Sequence, residues 1–239
     1  MKKGLFILLG SAAVFSACNK EASEYLSLRM ESASRVKTAT YGSTVFNYTY
    51  DARGRQLTCD NSDGIKRTYA YSIGSIKESV YTNTVFEYFY KNDLNADSLC
   101  VRETKSNDPS YEQLYEYNSD RTMAKIITKK SGITVQSINF FYSNGNCDSA
   151  RFNQNGQWNM TIIKTYYTDQ LNVFGNEVFG NEYYGKGNTN MLRSETVVYA
   201  GGSSDPGTNF TYGYDGSGRV IKEIACKGNN INNGLYTYY

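Results

Sequence analysis

Aromatic and polar residues alternate through most of this chain. Phe46-Asn47-Tyr48-Thr49-Tyr50 places three rings on one side of an extended segment and two short polar side chains on the other. Successive side chains of a strand leave opposite faces, so this period of two predicts a half-buried β-strand. The segment runs directly into Asp51-Ala52-Arg53-Gly54-Arg55. Near the end of the chain, Phe210-Thr211-Tyr212-Gly213-Tyr214 runs in the same way into Asp215-Gly216-Ser217-Gly218-Arg219. Aspartate caps a turn by accepting from the backbone that follows it, and glycine supplies the left-handed conformation before the next strand. The predicted unit is a hairpin.

Looser copies lie between and after these two. Tyr69-Ala70-Tyr71 leads to Gly74, and Phe86-Glu87-Tyr88-Phe89-Tyr90 leads to Lys91-Asn92-Asp93. Tyr115-Glu116-Tyr117 leads to Asn118-Ser119-Asp120-Arg121, Phe140-Phe141-Tyr142 leads to Ser143-Asn144-Gly145, and Tyr236-Thr237-Tyr238 closes the chain. A long gap separates Tyr142 from Tyr214, with Tyr167 and Tyr199 as degraded copies inside it, and Leu94 and Asn95 stand where Gly-Arg is expected. Turn clusters at 61–64, 105–110, 129–132, 153–156, 200–208 and 227–234 close the opposite ends of the hairpins. The fold class is all-β, an antiparallel up-and-down meander of about 14–18 strands. A sheet that long curls, splits or closes, because open edges invite pairing with other chains. A closed or nearly closed barrel, porin-like but not membrane-spanning, is the leading expectation, and a two-sheet sandwich is the alternative.

The N-terminal residues carry a different signal. Met1-Lys2-Lys3 precedes an apolar run from Gly4 to Phe15, too short to span a bilayer and of the length of a signal-peptide core. It ends in Phe15-Ser16-Ala17-Cys18, which resembles the bacterial lipobox. The expected organisation is a signal peptide at 1–17, a lipidated Cys18 with a tether at 18–34, and one β-repeat domain at 35–239. Multiple acyl chains would hold the protein stably on a membrane. Asn19 is not the aspartate that retains some lipoproteins in an inner membrane, and Lys20-Glu21 weakly resembles a charged surface-export tag. The expected location is the outer membrane, on its periplasmic face or at the cell surface.

Charge and composition narrow the function. Lys2 and Lys3 account for the entire net charge of +2, so 23 basic residues face 23 acidic ones in the rest of the chain. Such a balance gives no electrostatic case for nucleic acid. Histidine is absent, which excludes Ser-His-Asp and Cys-His catalysis and histidine-ligated metal centres. Asp60-Asn61-Ser62-Asp63-Gly64 lacks the ligand spacing of a calcium loop and reads as a turn. Gly201 to Gly207 lacks the lysine of a phosphate loop. No metal or cofactor is expected, and the chain reads as a non-enzyme. Cys59, Cys100, Cys147 and Cys226 permit two disulfides with three connectivities, but a domain this large needs no staples, so buried thiols are favoured. Trp158, flanked by Gln157 and Asn159, is a candidate for stacking on a sugar ring, although core packing is the simpler reading.

The Tyr-Asp-x-x-Gly-Arg hairpins look like the tyrosine–aspartate repeats of Rhs-type and teneurin-type shells. Combined with the lipobox, they look still more like uncharacterised Bacteroidota lipoproteins with a porin-like β fold. That resemblance covers most of residues 40–239 and implies an architecture rather than an activity. The leading functional expectation is a lipid-anchored, non-catalytic binding or scaffold module for a glycan or an envelope protein. A carrier of a lipid or other hydrophobic ligand inside the barrel, and a carboxylate-dependent glycan hydrolase, are the alternatives. Replacing Cys18 by alanine is expected to move the protein from the membrane to the soluble fraction. Unchanged fractionation would remove the anchor from this reading.

Overall fold

Each alternating segment hydrogen-bonds to the segments before and after it, and the last returns to the first. The computed structural model describes residues 35–239. β1 (Val36–Tyr41), β2 (Thr44–Tyr50), β3 (Gln56–Asn61) and β4 (Ile65–Ser72) are followed by β5 (Ser75–Thr82), β6 (Val85–Leu94), β7 (Cys100–Lys105) and β8 (Asp108–Tyr117). The second half runs through β9 (Met123–Lys130), β10 (Ile133–Ser143), β11 (Asn146–Gln154) and β12 (Gln157–Leu171). It ends with β13 (Asn190–Tyr199), β14 (Thr208–Tyr214), β15 (Val220–Lys227) and β16 (Asn230–Tyr238). β1 pairs with β16, with Val36 opposite Tyr238 and Tyr41 opposite Gly234, so the antiparallel barrel is closed. Closure gives every strand two partners and removes the exposed edges. The meander expected from the repeat is the one formed, and the sandwich alternative is excluded.

The period-2 pattern sets the two faces. Phe46, Tyr48 and Tyr50 are half-buried, whereas Asn47 and Thr49 are exposed, and Thr49 meets Thr58 hydroxyl to hydroxyl at 2.8 Å. The outer face also carries a ladder of ion pairs. Lys91 meets Asp93 at 2.8 Å, Asp93 meets Arg102 at 3.5 Å, Arg102 meets Glu112 at 2.6 Å, and Glu112 meets Lys129 at 3.7 Å.

Inside, a single device recurs at one end of the barrel, the end that carries the Asp turns. The odd-numbered strands β1, β3, β7, β11, β13 and β15 each begin with a β-bulge, at Lys37, Leu57, Val101, Asp148, Arg193 and Ile221. Pairing with the following strand starts only beyond the bulge, as at Thr58–Thr68, Arg102–Leu114 and Lys222–Leu235. The carbonyl just before the bulge therefore has no ladder partner on that side. In these six strands a tyrosine hydroxyl from the next strand donates to it, whereas β9, which also opens with a bulge at Ala124, has no such bond at Met123. Tyr50 donates to Val36, Tyr71 to Gln56, Tyr117 to Cys100 and Tyr166 to Cys147, each at 2.8 Å. Tyr212 donates to Leu192 at 3.0 Å and Tyr238 to Val220 at 2.6 Å. Buried backbone groups need partners, and these tyrosines supply them.

The Asp turn is equally regular. Asp51 Oδ1 accepts from the Arg53 and Arg55 amides, and Asp215 Oδ1 accepts from those of Ser217 and Arg219, all at 2.9 Å. Asn95 does the same for Asp97 and Leu99, so Asn95 stands in for the turn aspartate rather than for Gly-Arg. The fourth residue of the turn has positive φ, +76° at Gly54 and +77° at Gly218.

The gap in the repeat is filled by an insertion, residues 172–189, between β12 and β13. It forms two short 3-10 turns, Asn176–Phe179 and Glu182–Tyr184, and plugs the Asp-turn end. Phe174, Val178 and Phe179 pack with Val36, Val220 and Tyr236. Tyr183 and Tyr184 pack with Ile76, Cys100 and Tyr115 on another part of the wall. Gly180, at φ +69°, lies so close to the β2–β3 turn that a Cβ there would come within 2.6 Å of the Gln56 nitrogen. Of the two degraded copies expected in the gap, neither is the repeat tyrosine. Tyr166 takes that role, Tyr167 instead donates to the Phe210 carbonyl, and Tyr199 lies at the opposite end, bonded to Asp205.

Removing the Tyr117 hydroxyl by substitution with phenylalanine leaves the Cys100 carbonyl buried and unpaired. The expected cost is about 1–2 kcal/mol in urea unfolding, whereas Thr49→Val on the outer wall is expected to change stability by less than about 0.5 kcal/mol. Equal effects at the two positions would refute the structural role of the tyrosine bond.

Candidate functional site

Between the plug and the surrounding turns lies a cavity of about 740 Å³. Four connections build its rim. The β2–β3 turn contributes Arg53 and Arg55, the β4–β5 hairpin Tyr71, the β6–β7 turn Ser98 and the β8–β9 turn Arg121; the plug closes the remaining side with Glu182. The Asp turns thus do more than reverse the chain, since their third to fifth residues face this space.

The side chains are held to different degrees. Arg55 is fixed by Asp51, with Nε at 2.7 Å and Nη2 at 2.6 Å from Oδ2. Its guanidinium also lies 4.1 Å from the centroid of the Tyr71 ring. Glu182 pairs with Arg35 at 3.2 Å. Arg121 donates through Nη2 to the Asp97 carbonyl at 3.2 Å. Two rim residues have strained backbone: Ser98 at φ +61° and Arg121 at φ +70° occupy the turn position that is glycine in the first and last copies. The left-handed region costs a non-glycine residue about 1–2 kcal/mol.

Below the plug the lumen holds a second polar cluster. Buried Glu78 pairs with Arg67. Buried Glu103 accepts from Tyr111 at 3.0 Å and from Tyr115 and Tyr184 at 3.5 Å. Desolvation pushes the Glu103 carboxyl above the usual range; the tyrosine hydrogen bonds oppose this and the nearby Glu78 charge adds to it. Tyr184 belongs to the plug, so this carboxyl ties the plug to the wall. The network is closed on itself, with each acid engaged by protein donors.

The residues singled out from the sequence lie elsewhere. Trp158 does not pack into the core. It sits on the outer wall at the opposite end of the barrel, with Nε1 donating to Thr161 at 3.1 Å and the Arg151 guanidinium 5.4 Å from its ring centroid. The bulge at Asn159, opposite Phe152 and Asn153, shifts the register next to it, which displaces Trp158 from the inward-facing row. Cys59, Cys100, Cys147 and Cys226 are all free thiols. They stand on β3, β7, β11 and β15, four strands apart in each case. Neighbouring strands are spaced by about 4.8 Å, so no two of these cysteines share adjacent strands. Burial pushes the Cys59 thiol up to about 11 and the Cys100 thiol up to about 12, which keeps both protonated and unreactive. The Asp60–Gly64 segment is the β3–β4 turn, in which Asn61 Oδ1 accepts from Asp63 and Ile65. Cys18 lies outside the described residues. The rim arginines were missed, although Arg121 in a glycine position of the repeat was a visible signal.

No family model matches the chain, and no curated protein matches it. Among solved structures, the chain is similar to a porin-like protein from Bacteroides uniformis ATCC 8492, with 15% identity over 82% of this chain and 91% of that one and a TM-score of 0.62. It is also similar to a porin-like protein from Bacteroides vulgatus ATCC 8482, with 10% identity over 86% of this chain and 99% of that one and a TM-score of 0.53. Part of the Photorhabdus luminescens Tc holotoxin pore matches at a TM-score of 0.36, with 18% identity over 81% of this chain and 9% of that one. At these identities the likeness concerns the fold.

The raised Glu103 carboxyl has a pH signature. The folded barrel binds that proton more tightly than the unfolded chain does. Its stabilising contribution is therefore complete below the unfolded value of about 4.3 and is lost as pH rises through the folded one. Relative to the native chain, Glu103→Gln is expected to gain melting temperature progressively from pH 4 to pH 7. A difference independent of pH would show that Glu103 titrates normally.

Proposed function

We propose that this chain is a lipid-anchored, non-catalytic binding module of the cell envelope, held by Cys18, whose plugged barrel presents the Asp-turn cavity to a glycan. The observation that carries this reading is the cavity itself. Its volume is that of a small-molecule site, and its rim mixes guanidinium, hydroxyl and carboxylate groups around Tyr71. Donors and acceptors set side by side suit a polyol. A hydrophobic cargo would be poorly matched to a rim of arginines. The ion-pair ladder on the outer wall supports a barrel that stands in water, because charges at the midplane of a lipid-facing strand cost about 2–4 kcal/mol. A hydrolase would need a pair of carboxylates open to substrate, whereas the rim carries Glu182 alone and Glu78 and Glu103 are engaged beneath the plug.

The test is a thermal-shift screen of the purified chain against polysaccharide fragments and lipids. A ligand at a hundredfold over Kd adds about 2.7 kcal/mol, a rise of roughly 5–10 °C for a chain this size. Such a rise with one glycan class supports the proposal. A rise with lipids alone, or with nothing, overturns it.

A further inference from the structure

We infer that the cavity at the plugged end selects an acidic saccharide, a sugar bearing a carboxylate or sulfate, with Arg53 and Arg121 as the residues that read the charge. This rests on the cavity being the glycan site and adds what that glycan must carry.

The argument begins with charge. Of the rim groups, Arg55 is neutralised by Asp51 and Glu182 is paired with Arg35. Arg53 has no side-chain partner among the described residues. Arg121 gives one Nη to a neutral carbonyl and keeps its charge and its remaining donors. Two guanidiniums are therefore left at the rim without a carboxylate of their own. Guanidinium matches carboxylate and sulfate through paired N–H donors.

The turns themselves point the same way. Their third residue is Asp97 and Asp120 in the two middle copies and Ser217 in the last, but Arg53 in the first, so the charge is reversed at a residue that lines the cavity. Their fourth residue is Gly54 and Gly218 in the first and last copies, where the backbone is left-handed. In the β8–β9 copy the same backbone is kept, at φ +70°, with an arginine on it. The plug holds it there, since the Lys186 amide donates to the Arg121 carbonyl at 3.0 Å. Glycine would serve this backbone at lower cost. Strain retained at a cavity rim is the pattern of a residue kept for what its side chain does. Glu182 and Ser98 then separate a sugar from a bare anion, because hydroxyl groups use an acceptor that an inorganic ion cannot.

The experiment exploits the strain. Arg121→Gly removes the guanidinium and relieves the backbone, so the variant is expected to melt about 2–4 °C above the native chain. The same variant, and separately Arg53→Gln, is expected to bind a uronic-acid or sulfated disaccharide at least tenfold more weakly by calorimetry. The corresponding neutral disaccharide is expected to bind the native chain at least tenfold more weakly than the acidic one. Added salt is expected to weaken only the acidic ligand. If neutral and acidic disaccharides bind equally and both variants bind like the native chain, charge selection is overturned while glycan binding stands. If no saccharide binds and inorganic sulfate or an acidic peptide does, both are overturned. A thermal gain in Arg121→Gly with unchanged acidic-sugar affinity also overturns the role of Arg121.

Discussion

The barrel depends on what happens to a backbone carbonyl when a strand ladder is interrupted. Bulges bend and twist strands, and a closed sheet needs that curvature. Each bulge at the Asp-turn end also orphans a carbonyl in a buried place, as at Val36, Gln56, Cys100 and Val220. A buried unsatisfied acceptor costs about 1–3 kcal/mol. Tyrosine answers both demands, because its ring fills the lumen while its hydroxyl reaches the neighbouring strand. Desolvation pushes the hydroxyls of Tyr50, Tyr71, Tyr117 and Tyr238 far above the ordinary phenol range, so they remain donors at any physiological pH. Six of the 23 tyrosines answer this requirement. Two odd-numbered strands depart from the pattern: β4 and β5 meet in a tight hairpin with Ser72 opposite Ser75, with no bulge and no tyrosine bonded to the start of β5, and β9 keeps its bulge at Ala124 without a tyrosine bond to Met123.

A sixteen-strand circumference creates a second demand. Eight strands enclose a space that side chains fill, whereas sixteen leave a channel. The 172–189 insertion meets this demand by carrying four rings and Val178 into one end, with Phe174 and Tyr236 edge to face at 4.4 Å. Its backbone then rests on the Asp turns, at Gly180 against the β2–β3 turn and at Lys186 against Arg121. The cavity follows from this seating, since a plug supported on some turns and not others leaves a gap between them.

The hairpins and the closed meander were legible in the sequence because alternation and Asp-x-x-Gly turns are local signals. Closure needed only the edge argument. What was not legible depended on register or on non-local packing. Tyr166 and Tyr167 are adjacent, and only register decides that Tyr166 reaches the Cys147 carbonyl while Tyr167 reaches that of Phe210. Trp158 looked like a core residue until the register shift beside it turned it outward. The plug residues Phe174, Val178, Phe179, Tyr183 and Tyr184 have no period of two, and Gly and Asn are interspersed among them. Their partners lie on strands far away in the chain. The asparagine at 95 was visible but misassigned, because the turn needs a side-chain oxygen and not a charge.

A repeat supplies its own baseline, and departures from that baseline carry information that no single residue does. Asn95 for Asp51 keeps the hydrogen bonds, so that change is conservative in its physics. Arg121 for Gly54 keeps the conformation and adds strain, so that change is not. Of the residues at the fourth position of these turns, the two that are not glycine, Ser98 and Arg121, both line the cavity, and the relaxed turn at Gly54 lines it through its third and fifth residues, Arg53 and Arg55. Scaffold and site are therefore separated within one motif. The tyrosine and the aspartate are committed to the wall, and the third and fourth turn positions, which make no contribution to the ladder, are where binding chemistry can vary without opening the barrel.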